Sequence, residues 1–267
     1  MSTGARIGII GGKGWIGGAI ARAVVAAKLI PPGDLTLSCR GDPPGWLPDV
    51  HWTRDNQALA DRSHVLILSV RPQDWPSIEV RAPGKLVISV MAGVTLADIA
   101  ARLGTARVVR ALPNAALEVG QSYTPWIAAE QVTELDRAAI RRLLDSFGSG
   151  DEVGTEAEID YMTGLSGTGP AYPALLAVAM MRDAVANGLP KEVARRAAVA
   201  VLVGTGRLLE KTGEAPEDIV AAFVEYRGVT AAAIQAMQAS GFDAAVSAGL
   251  SAALQASHAL SASEPFQ

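Results

Sequence analysis

The stretch Thr163-Gly-Leu-Ser-Gly-Thr-Gly-Pro-Ala-Tyr172 sets Thr163, Ser166 and Thr168 among glycines inside an otherwise apolar, helix-forming region. Gly164, Gly167 and Gly169 let the backbone come close to a ligand or another helix. Pro170 suits the first position of a helix, where its missing N–H costs nothing. The hydroxyls then lie near freed backbone groups, which is the composition of a site. It is equally the composition of a Gly/Pro kink between packed helices, with the hydroxyls bonding their own backbone.

A second constellation stands at the start of the chain. Ile7-Gly-Ile-Ile-Gly-Gly-Lys-Gly-Trp-Ile-Gly-Gly18 contains Gly12-x-Gly14-x-x-Gly17, directly after a strand pattern and at the opening of a helix pattern. In that context the first glycine permits a tight turn, the second lets a pyrophosphate approach the backbone, and the third allows close helix–strand packing. The loop Gly12, Lys13, Gly14, Trp15, Ile16 and Gly17 is therefore read as dinucleotide-binding. Gly11 offers a register shifted by one residue, and a glycine-rich turn without a ligand is the plainer alternative. The next strand pattern ends without the Asp or Glu that would accept hydrogen bonds from an NAD ribose, and Arg40 stands there instead. A guanidinium pairs with a 2′-phosphate, so NADP(H) is favoured over NAD(H). Ser69, Val70, Arg71 and Pro72, and likewise Met91, Ala92 and Gly93, follow further strand patterns and should lie at the carboxyl edge of the sheet, where ligands bind in open α/β folds.

The elements that must position these residues change character along the chain. Strand patterns at 6–10, 35–39, 65–70, 86–91 and 108–112 alternate with helix patterns such as 15–28, which argues for βαβ units in a doubly wound parallel sheet of the Rossmann type. A helix over 136–148 would close that domain. All five tryptophans precede residue 150, and beyond it the composition turns to Ala, Leu, Val and Met. The expected division is an α/β dinucleotide-binding domain over 1–155 and an all-α domain over 156–267. The helical half breaks at Gly188-Leu-Pro190, at 212–216, around Arg227-Gly228 and at Gly241. Its run Ala197–Val203 is apolar around the whole helix circumference and needs partners on several sides, so a homo-oligomer, at least a dimer, is expected.

The 267 residues are 49% hydrophobic and carry a net charge of −4 with no local Lys/Arg run, so neither nucleic acid nor an anionic membrane is an expected partner. The apolar runs 170–181 and 197–204 are too short to span a bilayer. One cysteine, Cys39, cannot form an intrachain disulfide, and three scattered histidines give no metal spacing. The chain enters a strand pattern almost at once, without the features of a signal peptide, and a cytoplasmic protein is expected.

In order along the chain, the glycine loop, Ser69-Val-Arg-Pro72, Ser89-Val-Met-Ala-Gly93, Arg110-Ala-Leu-Pro-Asn114 and Thr163–Tyr172 resemble the pyrroline-5-carboxylate reductase family. Asp160 and Asn187-Gly-Leu-Pro190 extend the likeness. The resemblance implies reduction of a cyclic imine carboxylate to L-proline with NAD(P)H, by a Rossmann domain joined to a helical dimerisation domain. It makes Thr163 the residue that hydrogen-bonds the imine nitrogen or relays a proton through water, and places Asn114 beside the nicotinamide. Ser166, Gly167 and Thr168 become substrate contacts. Plain alternatives are back-bonding within a helix for Thr163 and a turn role for Asn114.

The chain also departs from the family pattern. Where family members carry a Ser-Pro-Gly-Gly-Thr-like loop for the substrate carboxylate, this one reads Glu225-Tyr226-Arg227-Gly228-Val-Thr230. Arg227 could replace the loop's backbone donors with a salt link, whereas an inward Glu225 would repel a carboxylate. Ala115 and Ala116 likewise replace the usual Thr-Pro, and the glycine loop is one residue longer. Besides 1-pyrroline-5-carboxylate, two other readings stay open: a reductase of another cyclic imine, and a dinucleotide-binding protein without turnover.

Overall fold

The computed structural model describes residues 4–262. It opens with β1 (Ile7–Ile10), α1 (Trp15–Ala26), β2 (Leu35–Ser38), β3 (His51–Thr53), α2 (Asn56–Arg62), β4 (Val65–Leu68), β5 (Leu86–Ser89), α3 (Leu96–Leu103) and β6 (Val108–Ala111). Next come β7 (Ser122–Tyr123), β8 (Trp126–Ala128), α4 (Glu134–Leu144), β9 (Gly148–Ser149) and α5 (Glu156–Met162). The main sheet has the order β3-β2-β1-β4-β5-β6-β8, parallel throughout except for β8, and β7 pairs with β9 in a small separate sheet. The chain reverses direction across the sheet between β1 and β4, which is the switch point of a doubly wound fold.

Every residue of β1, β2, β4, β5 and β6 is buried, which is why these strands are dominated by aliphatic residues without an alternation of apolar and polar faces. Ile7 and Ile9 face one layer with Ile20 and Val24 of α1 and Ile140 of α4, while Ile10 faces the other with Leu59 of α2 and Ile99 and Leu103 of α3. Gly8 marks the closest seam between sheet and helix, since a Cβ there would run into Ser63 Oγ and Leu59 Cδ2. No larger residue fits while α2 rests on β1.

Two features depart from the sequence expectation. The closing helix begins at Glu134, not 136, because Thr133 and Asp136 form a reciprocal capping box, and it ends at Leu144. The strands β3, β7, β8 and β9 are only two or three residues long and leave no periodicity to read. By compactness the chain divides into a first unit that runs to Thr168 and takes in residues from Ala252, and a second unit, Gly169–Ser251. Within the first unit, Arg110 on β6 pairs with Glu156 and Asp160 and ties α5 to the sheet.

The second unit holds α6 (Ala171–Ala186), α7 (Lys191–Thr212), α8 (Pro216–Glu225), α9 (Val229–Ala239) and the start of α10 (Phe242–Ala262). Pro190 precedes α7, left-handed Gly213 ends it, and Pro216 opens α8. Among its described residues only Ala177, Ala194, Ala198 and Ala231 are buried. Leu175, Val199, Val201, Val203 and Phe223 are about half exposed or more.

Candidate active site

The glycine loop joins β1 to α1 at the carboxyl edge of the sheet. Gly11 makes the tight turn, with φ +83° and its α-carbon so close to the Ser69 carbonyl that no Cβ fits. The turn role assigned to Gly12 on spacing thus belongs to Gly11. Gly12 is needed for another reason: a Cβ would sit 2.8 Å from Leu37 Cβ, and its N–H donates to Ser38 O at 2.9 Å. At Gly17 a Cβ would lie 2.6 Å from Gly11 O, so this glycine permits close approach of helix and loop. Gly14 caps α1 without any side-chain bond, and the first helical turn carries no acidic residue. Its exposed N–H groups and dipole therefore favour an anion.

This helix start opens into a cavity of about 580 Å³ lined by Gly11, Lys13, Gly14, Trp15, Arg40, Ser69, Val70 and Arg71. The cradle fits a dinucleotide: bare backbone beside a helix N-terminus for the pyrophosphate, with cations beyond β2. Ser38, Arg54, Asn56 and Asp74 also line it and were not singled out in the sequence. Arg54 follows the three-residue strand β3, and Asp74 sits in a short 3₁₀ turn after Pro72, so neither had an element to mark it. Asp74 accepts from Arg71 Nε at 2.9 Å and from Arg40 Nη2 at 3.4 Å. The hydrogen bond from Arg71 holds the Asp74 carboxyl below the usual carboxylate range against an opposing effect of burial, and the same bond raises Arg71. Met91 faces the core instead, and Gly93 turns the chain at φ +71°.

At the other end of the sheet edge, Asn114 follows β6 and is buried. Its Oδ1 accepts from Ala116 N–H at 2.9 Å, capping a 3₁₀ turn, and its Nδ2 donates to Ser166 O at 2.9 Å. The side-chain amide thus links the loop after β6 to residues 163–167. Those residues form a turn of π-helix, closed by Thr168 N–H donating to Thr163 O at 3.0 Å. Such wide turns free backbone groups and are frequent at functional sites. Each hydroxyl bonds back one turn: Thr163 to Ile159 O at 3.3 Å, Ser166 to Met162 O at 3.2 Å, and Thr168 to Gly164 O at 2.7 Å. Just before the turn, the Arg110 guanidinium, only 1% exposed, donates to Asp160 Oδ1 at 2.7 Å and Glu156 Oε1 at 3.0 Å.

Glu225, Tyr226, Arg227, Gly228 and Thr230 lie in the second unit, at the junction of α8 and α9. All five are exposed. Arg227 has φ +52°, a left-handed conformation rarely adopted by a residue with a side chain. Gly228 is extended and caps α9, and Thr230 lies in that helix's first turn.

A parallel sheet in the order 3-2-1-4-5-6, a glycine turn at its switch point and a helical segment after it define an oxidoreductase that binds a nicotinamide dinucleotide. Comparison with known proteins narrows this. The family profile for pyrroline-5-carboxylate reductase dimerisation matches residues 156–260, and that for NADP oxidoreductase, coenzyme F420-dependent, matches residues 6–93. The pyrroline-5-carboxylate reductase of Synechocystis is 33% identical across 96% of this chain and 98% of its own. That of Thermus thermophilus is 34% identical across 79% of this chain and 80% of its own. A solved pyrroline-5-carboxylate reductase from Coxiella burnetii superposes with a TM-score of 0.84 at 27% identity, covering 96% of this chain and 98% of that one. The chain belongs to the pyrroline-5-carboxylate reductase family. Its helical segment matches the family's dimerisation region, and the chain is a homo-oligomer.

Proposed function

We propose that this protein reduces 1-pyrroline-5-carboxylate to L-proline with NADPH as the preferred reductant. The observation that carries the reading is the likeness to curated pyrroline-5-carboxylate reductases over almost the entire chain. It also favours this substrate over other cyclic imines and over a protein without turnover. A bound reduced nicotinamide supplies the hydride for the imine carbon. The chain's own residues then have to bind, orient and hold a proton on the nitrogen.

Gly11, Gly12, Gly14 and Gly17 shape the backbone for the pyrophosphate, with the N-terminus of α1 facing it. Lys13, Trp15, Ser69, Val70 and Arg71 wall the cavity, and Arg40 takes the 2′-phosphate. Thr163 directs its hydroxyl proton to Ile159 O, which leaves Oγ1 as an acceptor. An acceptor suits a protonated imine nitrogen, so Thr163 orients an iminium and donates nothing to it. Asn114 acts through Ser166, holding the π turn that presents Thr163. Arg227 anchors the substrate carboxylate in place of the family's glycine-loop donors. A cytoplasmic location accompanies this reading, since Cys39 is free.

The test follows NADPH absorbance with 1-pyrroline-5-carboxylate and its six-membered homologue. Faster turnover of the five-membered ring supports the assignment, and preference for the larger ring sinks it. Thr163→Val should cut kcat/KM by about 10- to 100-fold, the worth of a hydrogen bond to a charged group, with Ser restoring much of it. If Val matches wild type, the assigned role of Thr163 is wrong.

A further inference from the structure

We propose that Asp74 is a built-in competitor for the nucleotide's 2′-substituent, tempering the preference for a 2′-phosphate and keeping a 2′-hydroxyl acceptable in the same cavity. The inference rests on the NADPH reading above and deepens it.

Three charged groups converge at one wall of the 580 Å³ cavity: Arg40 after β2, and Arg71 and Asp74 after β4. Their exposure differs sharply, with the Asp74 side chain at 21% against 84% for Arg40 and 72% for Arg71. The carboxylate is thus the most buried member of the cluster, and the guanidiniums are the ones open to solvent. Both its oxygens are engaged by Arg71, Oδ2 from Nε at 2.9 Å and Oδ1 from Nη2 at 3.2 Å, and Oδ2 also receives Arg40 Nη2 at 3.4 Å. The other cations of the wall are occupied too: Arg54 pairs with Asp42 at 2.6 Å, and Lys13 donates to Asp42 O at 3.1 Å.

A 2′-phosphate arriving at Arg40 must share that guanidinium with Asp74 and endure the repulsion of a second anion beside it. A ribose 2′-hydroxyl meets no such repulsion and is a donor that a carboxylate accepts. Dinucleotide sites ordinarily place either a carboxylate or an arginine at the ribose, selecting NAD or NADP. This cavity holds both, from two different strands. The position of Asp74 after β4 hides it from any reading confined to the end of β2.

The experiment measures binding of adenosine 2′,5′-bisphosphate and of 5′-AMP by calorimetry to the full chain and to Asp74→Asn, together with the NADPH-to-NADH ratio of kcat/KM. Asparagine keeps the size of the side chain and leaves the Asp74 carbonyl, which accepts from Ser77 Oγ at 2.7 Å, in place. Removing one charge at a partly exposed site should raise bisphosphate affinity and the NADPH-to-NADH ratio about fivefold, with 5′-AMP affinity somewhat lowered as the 2′-hydroxyl exchanges a carboxylate for a weaker amide acceptor. An unchanged or lowered bisphosphate affinity would overturn the proposal, because Asp74 would then merely hold the arginines in place. Arg40→Ala tests the underlying reading separately. If it leaves bisphosphate affinity intact, the preference assigned to Arg40 is wrong; a gain in Asp74→Asn alongside would mean that Asp74 competes at Arg71 instead.

Discussion

The α/β unit and the helical unit reach stability by different routes. In the first, five strands are buried at every residue and two layers of Ile, Leu and Val close over them. In the second, the described buried side chains are four alanines, while Leu175, Val201 and Phe223 face outward. Burying a Val or Leu side chain contributes about 1.5–3 kcal/mol and an alanine much less. The α/β unit supplies its own core, whereas the helical unit, which matches a dimerisation region, leaves its large apolar side chains uncovered within one chain. A sheet with both faces covered has no surface left to share, whereas a layer of helices covered on one side has little else.

That contrast can be broken at four places. All five tryptophans lie in the first unit, so their fluorescence reports its unfolding in urea. Arg110→Met should cost about 4 kcal/mol, since it strands Glu156 and Asp160 beside an apolar side chain. The loss should not depend on protein concentration. Val201→Asp should weaken association by about 3 kcal/mol, on the scale of an unpaired charge in an apolar interface, and sedimentation should then show monomers. Tetramers or dimers of unchanged affinity would place Val201 outside the interface. Gly8→Ala should cost about 2 kcal/mol by forcing α2 off β1, again independent of concentration.

The smallest effect concerns acid. Burial alone would raise the Asp136 carboxyl, but its bonds to Arg107 and Thr133 outweigh this and hold it below the usual carboxylate range. A carboxyl lowered on folding stabilises the fold fully above its unfolded value and loses that contribution as pH falls through its folded one. Asp136→Asn should thus cost about 1 kcal/mol at neutral pH, typical of a lost helix cap, and nothing in strong acid. A pH-independent difference would mean that shape, not charge, is what Asp136 contributes.

Much of the first unit was legible because its strands are short runs rich in aliphatic residues and its turn is spelled in glycine. What the spacing could not show was which glycine does what. Gly12 fits the dinucleotide pattern, yet Gly11 carries the positive φ and turns beside the Ser69 carbonyl, while Gly12 is pressed against Leu37. Thr163 and Asn114 were legible as positions and not as partnerships. The bond from Asn114 to Ser166, like the placement of Asp74 between two arginines, exists only once distant segments meet. Arg110 and Asp160 both stood in family-like motifs, but their pairing is what ties α5 to the sheet. The helical unit gave up its breaks readily, through Pro190, Gly213 and Pro216, and its apolar α7 correctly pointed to partner chains.

The two bonds that fix the π turn reach far along the chain, 50 residues from Arg110 to Asp160 and 52 from Asn114 to Ser166. Their partners stand on β6 and just after it, so neither bond can form before that strand has joined the sheet. On refolding, the sheet and its tryptophan signal should therefore return first, with the turn around Thr163 settling afterwards onto a finished β6. Catalytic competence is then the last property the chain acquires, and a pause between the recovery of fluorescence and of imine turnover would record it.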